Sequence, residues 1–136
     1  MDNKIKIHCD GGARGNPGAA ACAFVVIEKD NVIFEDSSFL GVTTNNVAEY
    51  EGVILAMKWL IENNYYSVVE FYLDSQLVVK QINGDYKVKN ERLKELYMDT
   101  KSLEKYINAK IKYIDIPRSS NTLPDKLLNK TIDENL

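Results

Sequence analysis

The stretch Ile5 to Gly18, IKIHCDGGARGNPG, constrains the chain most. Ile5, Ile7 and Cys9 alternate with Lys6, His8 and Asp10, the period of two that marks a half-buried strand. Gly11 and Gly12 follow at once, so the strand is expected to end at Asp10, on its polar parity. Gly15, Asn16, Pro17 and Gly18 then turn the chain, and Ala19 to Ile27 runs back as an apolar segment. A carboxylate at a strand end, beside glycines that let another backbone approach, suits a metal ion and a phosphate. Taken alone, Asp10 reads more simply as an acid capping a glycine turn.

The following segments extend this hairpin into an α/β pattern. Glu28 to Asn31 supplies a turn and Asn31 to Phe39 a third strand, giving an antiparallel meander. Gly41 to Asn46, GVTTNN, is expected to be a loop ending in helix-capping residues. A helix should follow from about Val47 to Asn63, with Tyr50, Ile54, Met57 and Ile61 as its apolar stripe, widened by Val53, Ala56 and Leu60. Glu49 aligns with Val53, Ala56 and Leu60 and so borders the inward face. By itself it reads more simply as an acid favoured by the helix dipole. Val68 to Leu73 reads as a strand that ends at Asp74, and Ser75–Gln76 opens a short helix to about Ile82. Strand, helix, strand, helix implies a parallel crossover with the Val68 strand beside the first. Asp10 and Asp74 would then stand at neighbouring strand ends, the rim where open α/β sheets hold ligands.

A second long helix is expected from about Asn90 to Ile107, with Leu93, Leu96, Tyr97, Leu103 and Ile107 inward. Lys110 to Ile116 alternates as a last strand, closed by Pro117. After the polar loop Arg118 to Asn121, a final helix should start at Thr122-Leu123-Pro124-Asp125. Thr122 is its expected cap, and Asp125 stands where a capping-box acid would. One domain spanning 1–136 is expected, with no repeat or linker.

Composition narrows the function. The chain is 45% hydrophobic and 27% charged, the balance of a soluble globular protein. No apolar run approaches the ~20 residues that span a bilayer, and MDNKIKIHCD lacks a signal-peptide core. A cytoplasmic location, no membrane partner and a monomeric state are therefore expected. Net charge of -3 argues against a broad non-specific nucleic-acid binder. Lys80 to Lys112, however, holds nine Lys or Arg against five acids, either a weak basic surface or the solvated faces of two helices. Cys9 and Cys22 read as buried thiols, and no His or Cys cluster offers a zinc site.

Four acids, Asp10, Glu49, Asp74 and Asp125, thus fall at element ends that this topology brings to one rim. DGGARGNPG at Asp10, TTNNVAEY at Glu49, LDSQ at Asp74 and RSSNTLPD at Asp125 stand in this order along the chain. With these pieces and their spacing the chain resembles type 1 ribonuclease H over nearly its whole length. The resemblance implies a mixed five-stranded sheet, three antiparallel strands then parallel crossovers, flanked by helices. It implies endonucleolytic cleavage of the RNA strand of RNA–DNA hybrids with two divalent ions, usually Mg²⁺ with Mn²⁺ accepted, leaving 5′-phosphate and 3′-hydroxyl ends. Asp10 would bridge both ions, Asp125 would help hold the one that activates water, and Glu49 and Asp74 would hold the other. Phosphodiester hydrolysis gains from such a pair, since ions roughly 4 Å apart serve both attacking and leaving oxygens.

For substrate, Asn16, Asn45, Asn46 and Gln76 match positions that contact the hybrid in the family. The backbone of Gly12 and Ala13 would approach 2′-hydroxyls, and Thr44 matches a residue that grips a DNA phosphate. Three departures stand out. The loop before Asp125, RSSN, has no histidine, and Arg118 is the candidate to assume part of its duty through phosphate contact. Pro124 replaces a small residue, and no basic helix is inserted between Ile82 and Asn90. Two other readings remain at this stage: a nuclease that also or mainly cuts double-stranded RNA, and a non-catalytic nucleic-acid-binding module on the same fold.

Overall fold

The computed structural model describes residues 3–136. In chain order it comprises β1 (Lys4–Gly15), β2 (Gly18–Glu28), β3 (Asn31–Thr43), α1 (Asn45–Glu62), β4 (Val68–Leu73), α2 (Gln76–Ile82), α3 (Glu91–Glu104), β5 (Lys110–Asp115) and α4 (Thr122–Glu134). The strands form one sheet in the order β3-β2-β1-β4-β5. β1, β2 and β3 are antiparallel, while β4 and β5 run parallel to β1. This is the mixed five-stranded sheet expected. Among the described residues, no helix is long and apolar enough to cross a membrane.

The two faces of β1 feed two different layers. Ile5, Ile7 and Cys9 join Val69, Phe71 and Leu73 of β4 against Tyr50, Val53, Met57 and Leu60 of α1, with Val78 and Ile82 of α2 and Leu96 of α3 completing this core. On the opposite face, Ala21 and Ala23 of β2 meet Leu128 and Ile132 of α4. The alanines have little bulk, so this layer stays thin and α4 lies close to the sheet.

Several boundaries differ from expectation. β1 does not end at Asp10 but continues to Gly15, paired with β2 down to Gly15↔Gly18. What ends at His8↔Tyr72 is its parallel pairing with β4. Asp10 therefore does stand where two parallel strands part, on a strand that runs on. Gly11 is required there: a Cβ would lie 2.1 Å from the Ala48 carbonyl carbon, so only glycine admits the first turn of α1. β3 likewise extends past Phe39 to Thr43, because Gly18 to Ala20 still offer it partners. α1 consequently starts earlier, capped by Thr44 Oγ1, which accepts from the Val47 N–H at 3.3 Å. α3 is shorter than expected and buries Thr100, whose hydroxyl donates to the Leu96 carbonyl at 2.9 Å and so escapes the cost of an unpaired polar group.

At α4 the cap is Asn121, not Thr122, and its side chain makes no capping bond. It has a stronger use elsewhere. Asn121 is 1% exposed; its Nδ2 donates to the Cys9 carbonyl at 2.8 Å, and its Oδ1 lies 3.0 Å from His8 Nδ1. An amide oxygen can only accept, so His8 carries its proton on Nδ1. This tie fixes the start of α4 to the residue preceding Asp10.

Candidate metal centre

Asp10, Glu49 and Asp74 come from three elements and converge. One carboxylate oxygen of each lies within 4.8 Å of the others. Asp10 is 5% and Glu49 6% exposed, while Asp74, just past the end of β4, is half-buried. The Gly11 N–H draws the first two together, donating to Asp10 Oδ1 at 2.8 Å and to Glu49 Oε1 at 3.2 Å. No donor reaches Glu49 Oε2 or Asp74 Oδ2, although both atoms are buried. Three crowded carboxylates with two unsatisfied oxygens are a costly arrangement without a cation. A hard divalent ion with oxygen ligands fits this donor set.

Electrostatics agree with the crowding. Burial, and then repulsion from Asp74, pushes the Asp10 carboxyl up to about 6, against the opposing hydrogen bonding of Glu49 and Gly11. Burial and the neighbouring Asp10 raise Glu49 well above the carboxylate range. Burial also raises Asp74, with Arg118 opposing and Asp125 adding to the rise. Crowding thus favours the protonated carboxyls, and a bound cation would oppose that.

Asp125 stands apart from the three. It lies in the first turn of α4 and faces Asp10 across a hollow lined also by Gly12, Ala13, Asn45 and Arg118. Its Oδ1 accepts from Asn129 Nδ2 at 3.3 Å, one turn on. Glu49 and Asp74 line a second hollow with Asn45, Asn46, Ser75 and Arg118. Arg118, exposed on a single 3₁₀ turn (Arg118–Ser120), is thus common to both hollows.

Comparison with known proteins places this arrangement. A family model described as reverse transcriptase-like matches residues 8–131. The crystal structure of LC11 ribonuclease H1 in complex with an RNA/DNA hybrid is 38% identical, with a TM-score of 0.91 over 96% of this chain and 98% of that one. The chain belongs to the type 1 ribonuclease H family. Ribonuclease H1 from Halobacterium salinarum is similar too, at 30% identity and a TM-score of 0.89 over 96% of this chain and 98% of that structure. The bifunctional protein Rv2228c of Mycobacterium tuberculosis is 38% identical over 132 residues. The chain spans only 36% of that mycobacterial protein.

The residues expected to touch substrate in this ribonuclease H chain divide into two sets. Asn16, Asn45 and Ala13 form one internal chain: Ala13 N–H donates to Asn45 Oδ1 at 2.8 Å, and Asn45 N–H donates to Asn16 Oδ1 at 3.0 Å. These bonds lock the β1–β2 turn to the start of α1, leaving the amide NH₂ groups of Asn16 and Asn45 for other partners. Thr44 serves as the helix cap already described. Asn46 lines the Glu49 hollow, and Gln76 is exposed as the first residue of α2. Gly12 lines the Asp10 hollow beside Leu128. Ser75, expected only to open α2, and Asn121 and Asn129 were not expected at the site. Asn129 had a visible signal, its four-residue spacing from Asp125. Ser75 had one too, as a capping serine directly after Asp74.

Proposed function

We propose that this chain is a metal-dependent endoribonuclease that cuts the RNA strand of RNA–DNA hybrids. The observation that carries the proposal is the carboxylate cluster: three acids from β1, α1 and the end of β4 within reach of one ion, two of their oxygens buried without a donor. The hybrid bound to the 38% identical LC11 structure supports the choice of substrate. In this reading Asp10, Glu49 and Asp74 hold Mg²⁺ or Mn²⁺, and Asp125 completes a second position across the Asp10 hollow. When bound, such ions neutralise charge on the attacking and leaving oxygens of an in-line displacement and lower the pKa of water.

The chain's own residues set the geometry. The Gly11 N–H holds two carboxylates in place, and Asn121 ties α4, and with it Asp125, to β1. Arg118 presents a permanent positive charge to a phosphate entering between the two hollows, where a guanidinium can make paired hydrogen bonds. The N–H of Ala13 already has a partner and Gly12 is paired with Ala21 of β2, which leaves the two asparagine amides to read the minor groove and its 2′-hydroxyls. Cleavage leaves 5′-phosphate and 3′-hydroxyl ends.

The test is a side-by-side assay with hybrid, duplex RNA, duplex DNA and each single strand, with Mg²⁺, Mn²⁺ or EDTA. Hybrid should be cut fastest and only with a divalent ion. Preferential cutting of duplex RNA would move the assignment to the second substrate. Binding of hybrid with no cutting under any ion would reduce the chain to a binding module.

A further inference from the structure

The helices divide unequally between the two faces of the sheet. α1, α2 and α3 share one face; α4 takes the other and packs across β2, β1 and β3. Beyond β1, the α4 side of β4 and β5 is left open. Register fixes what stands there. Lys4, Val68 and Lys110 form one row, Lys6, Glu70 and Lys112 the next, and His8, Tyr72 and Ile114 the third. The lysines therefore make two columns, on β1 and on β5, two strand spacings or about 10 Å apart. Along each column successive side chains are about 6.6 Å apart, since alternate residues share a face.

All four lysines are exposed. Glu70 is the one acid among these rows, and it is held by Lys4 Nζ at 3.1 Å and by the Tyr72 hydroxyl at 2.8 Å. Four positive charges against one negative, in a chain of net charge -3, make this face unlike the rest of the molecule. On the adjoining β2–β3 turn, Lys29 and Asp30 border Lys4 and Lys6 and offset one another. The third row is aromatic: the His8 and Tyr72 rings stack with centroids 5.0 Å apart. That row also abuts the metal centre, for Tyr72 precedes Asp74 by two residues and Ile114 precedes Arg118 by four.

We propose that this open face binds a single nucleic-acid strand, the unpaired tail of a hybrid whose duplex part occupies the rim. The two lysine columns flank a path wide enough for one sugar–phosphate backbone, with a phosphate repeat comparable to the spacing within a column, and the aromatic row stands where the strand would leave the duplex. Half-buried Val68 and Ile114 offer too little apolar surface to anchor a protein. The proposal rests on the reading of the rim as a hybrid-binding site, which supplies the tail.

The experiment uses labelled blunt hybrid, the same hybrid with a single-stranded tail, and the tail strand alone, titrated by fluorescence anisotropy in EDTA so that nothing is cut. The main variant is K6Q/K110Q/K112Q, which leaves the Lys4–Glu70 pair intact; K110Q/K112Q, confined to the edge strand β5, guards against a folding defect. Wild type should bind the tailed hybrid about tenfold more tightly than the blunt one at low salt. The triple variant should lose that preference, and its salt slope for the tail strand should fall by about 2, at ~0.7 per lost phosphate contact; the double variant should fall by about 1.4. Cutting of blunt hybrid should be unchanged in both. No tail preference in wild type, or an undiminished one in the triple variant, would overturn the proposal. If wild type cuts no hybrid yet the variants still lose the tail strand, the function reading fails and the face stands.

Discussion

Replacing Gly11 with alanine tests the link between close packing and the metal centre. A Cβ there would lie 2.1 Å from the Ala48 carbonyl carbon, 2.2 Å from its oxygen and 2.4 Å from the Glu49 nitrogen. Ordinary van der Waals contact begins at 3.4 Å, so β1 and α1 must separate by about 1 Å. The obstacles are backbone, not the end of a flexible side chain, so no rotamer change relieves them. Overpacking of this kind costs typically 1–3 kcal/mol, and a backbone clash falls at about 3 kcal/mol, the top of that range. Gly12→Ala is the control: its Cβ would meet only Leu128 Cδ1, at 3.5 Å, and should cost less than about 1 kcal/mol. Denaturant unfolding of the two variants, with the slope held equal, measures the contrast. Gly11→Ala should also lower kcat about 100-fold, since the displaced turn carries Glu49 and misplacement by about 1 Å has that effect. Equal stability of the two variants, or a full rate from Gly11→Ala, would refute the reasoning.

Asp10→Asn keeps volume and removes one ligand charge. It should lower kcat beyond the ~10–100-fold that losing a ligand's supporting partner costs, while the fold survives by circular dichroism. The same variant reads the pH dependence. The folded Asp10 pKa, about 6, exceeds its ordinary 3.8, so its contribution to stability is complete below 3.8 and is lost as pH rises to about 6. Without metal, the melting temperature of Asp10→Asn relative to wild type should therefore rise between pH 4 and 6 and then level off; a flat difference would contradict the assigned burial. Asn121→Ala leaves the Cys9 carbonyl and the His8 N–H unpaired, and unfolding measurements should show a loss of about 1–3 kcal/mol. Arg118→Ala should raise KM for hybrid and flatten its salt dependence; unchanged kinetics would end its proposed role.

Much of this was legible because the local and global signals agree. Alternation in Ile5–Asp10, the stripe of α1 and the apolar run at Val68–Leu73 each name one element type, and right-handed crossover then leaves few topologies. The acids were legible because each was expected near an element end, although Asp10 lies inside β1, just past the point where its parallel pairing with β4 stops. The run of β1 beyond Asp10 was not, since glycines normally end strands. They persist here because β2 supplies a ladder and α1 needs the space. The role of Asn121 was hidden for a similar reason. An asparagine before a helix signals a cap, and only the fold reveals that Cys9 and His8 each take one end of its amide. Likewise the tie between Asn16 and Asn45 joins residues 29 apart, a distance no local pattern bridges.

Adjacent residues on β1 answer to opposite sides of the molecule. Gly11 makes room for the helix that delivers Glu49, while Asp10 looks toward the helix that delivers Asp125. The strand is thus the common ruler against which both helices are aligned. Inserting or deleting a single residue ahead of Asp10 would exchange the two faces. Either helix can drift in sequence and keep its carboxylate in place, whereas the reading frame of this one strand tolerates no slip.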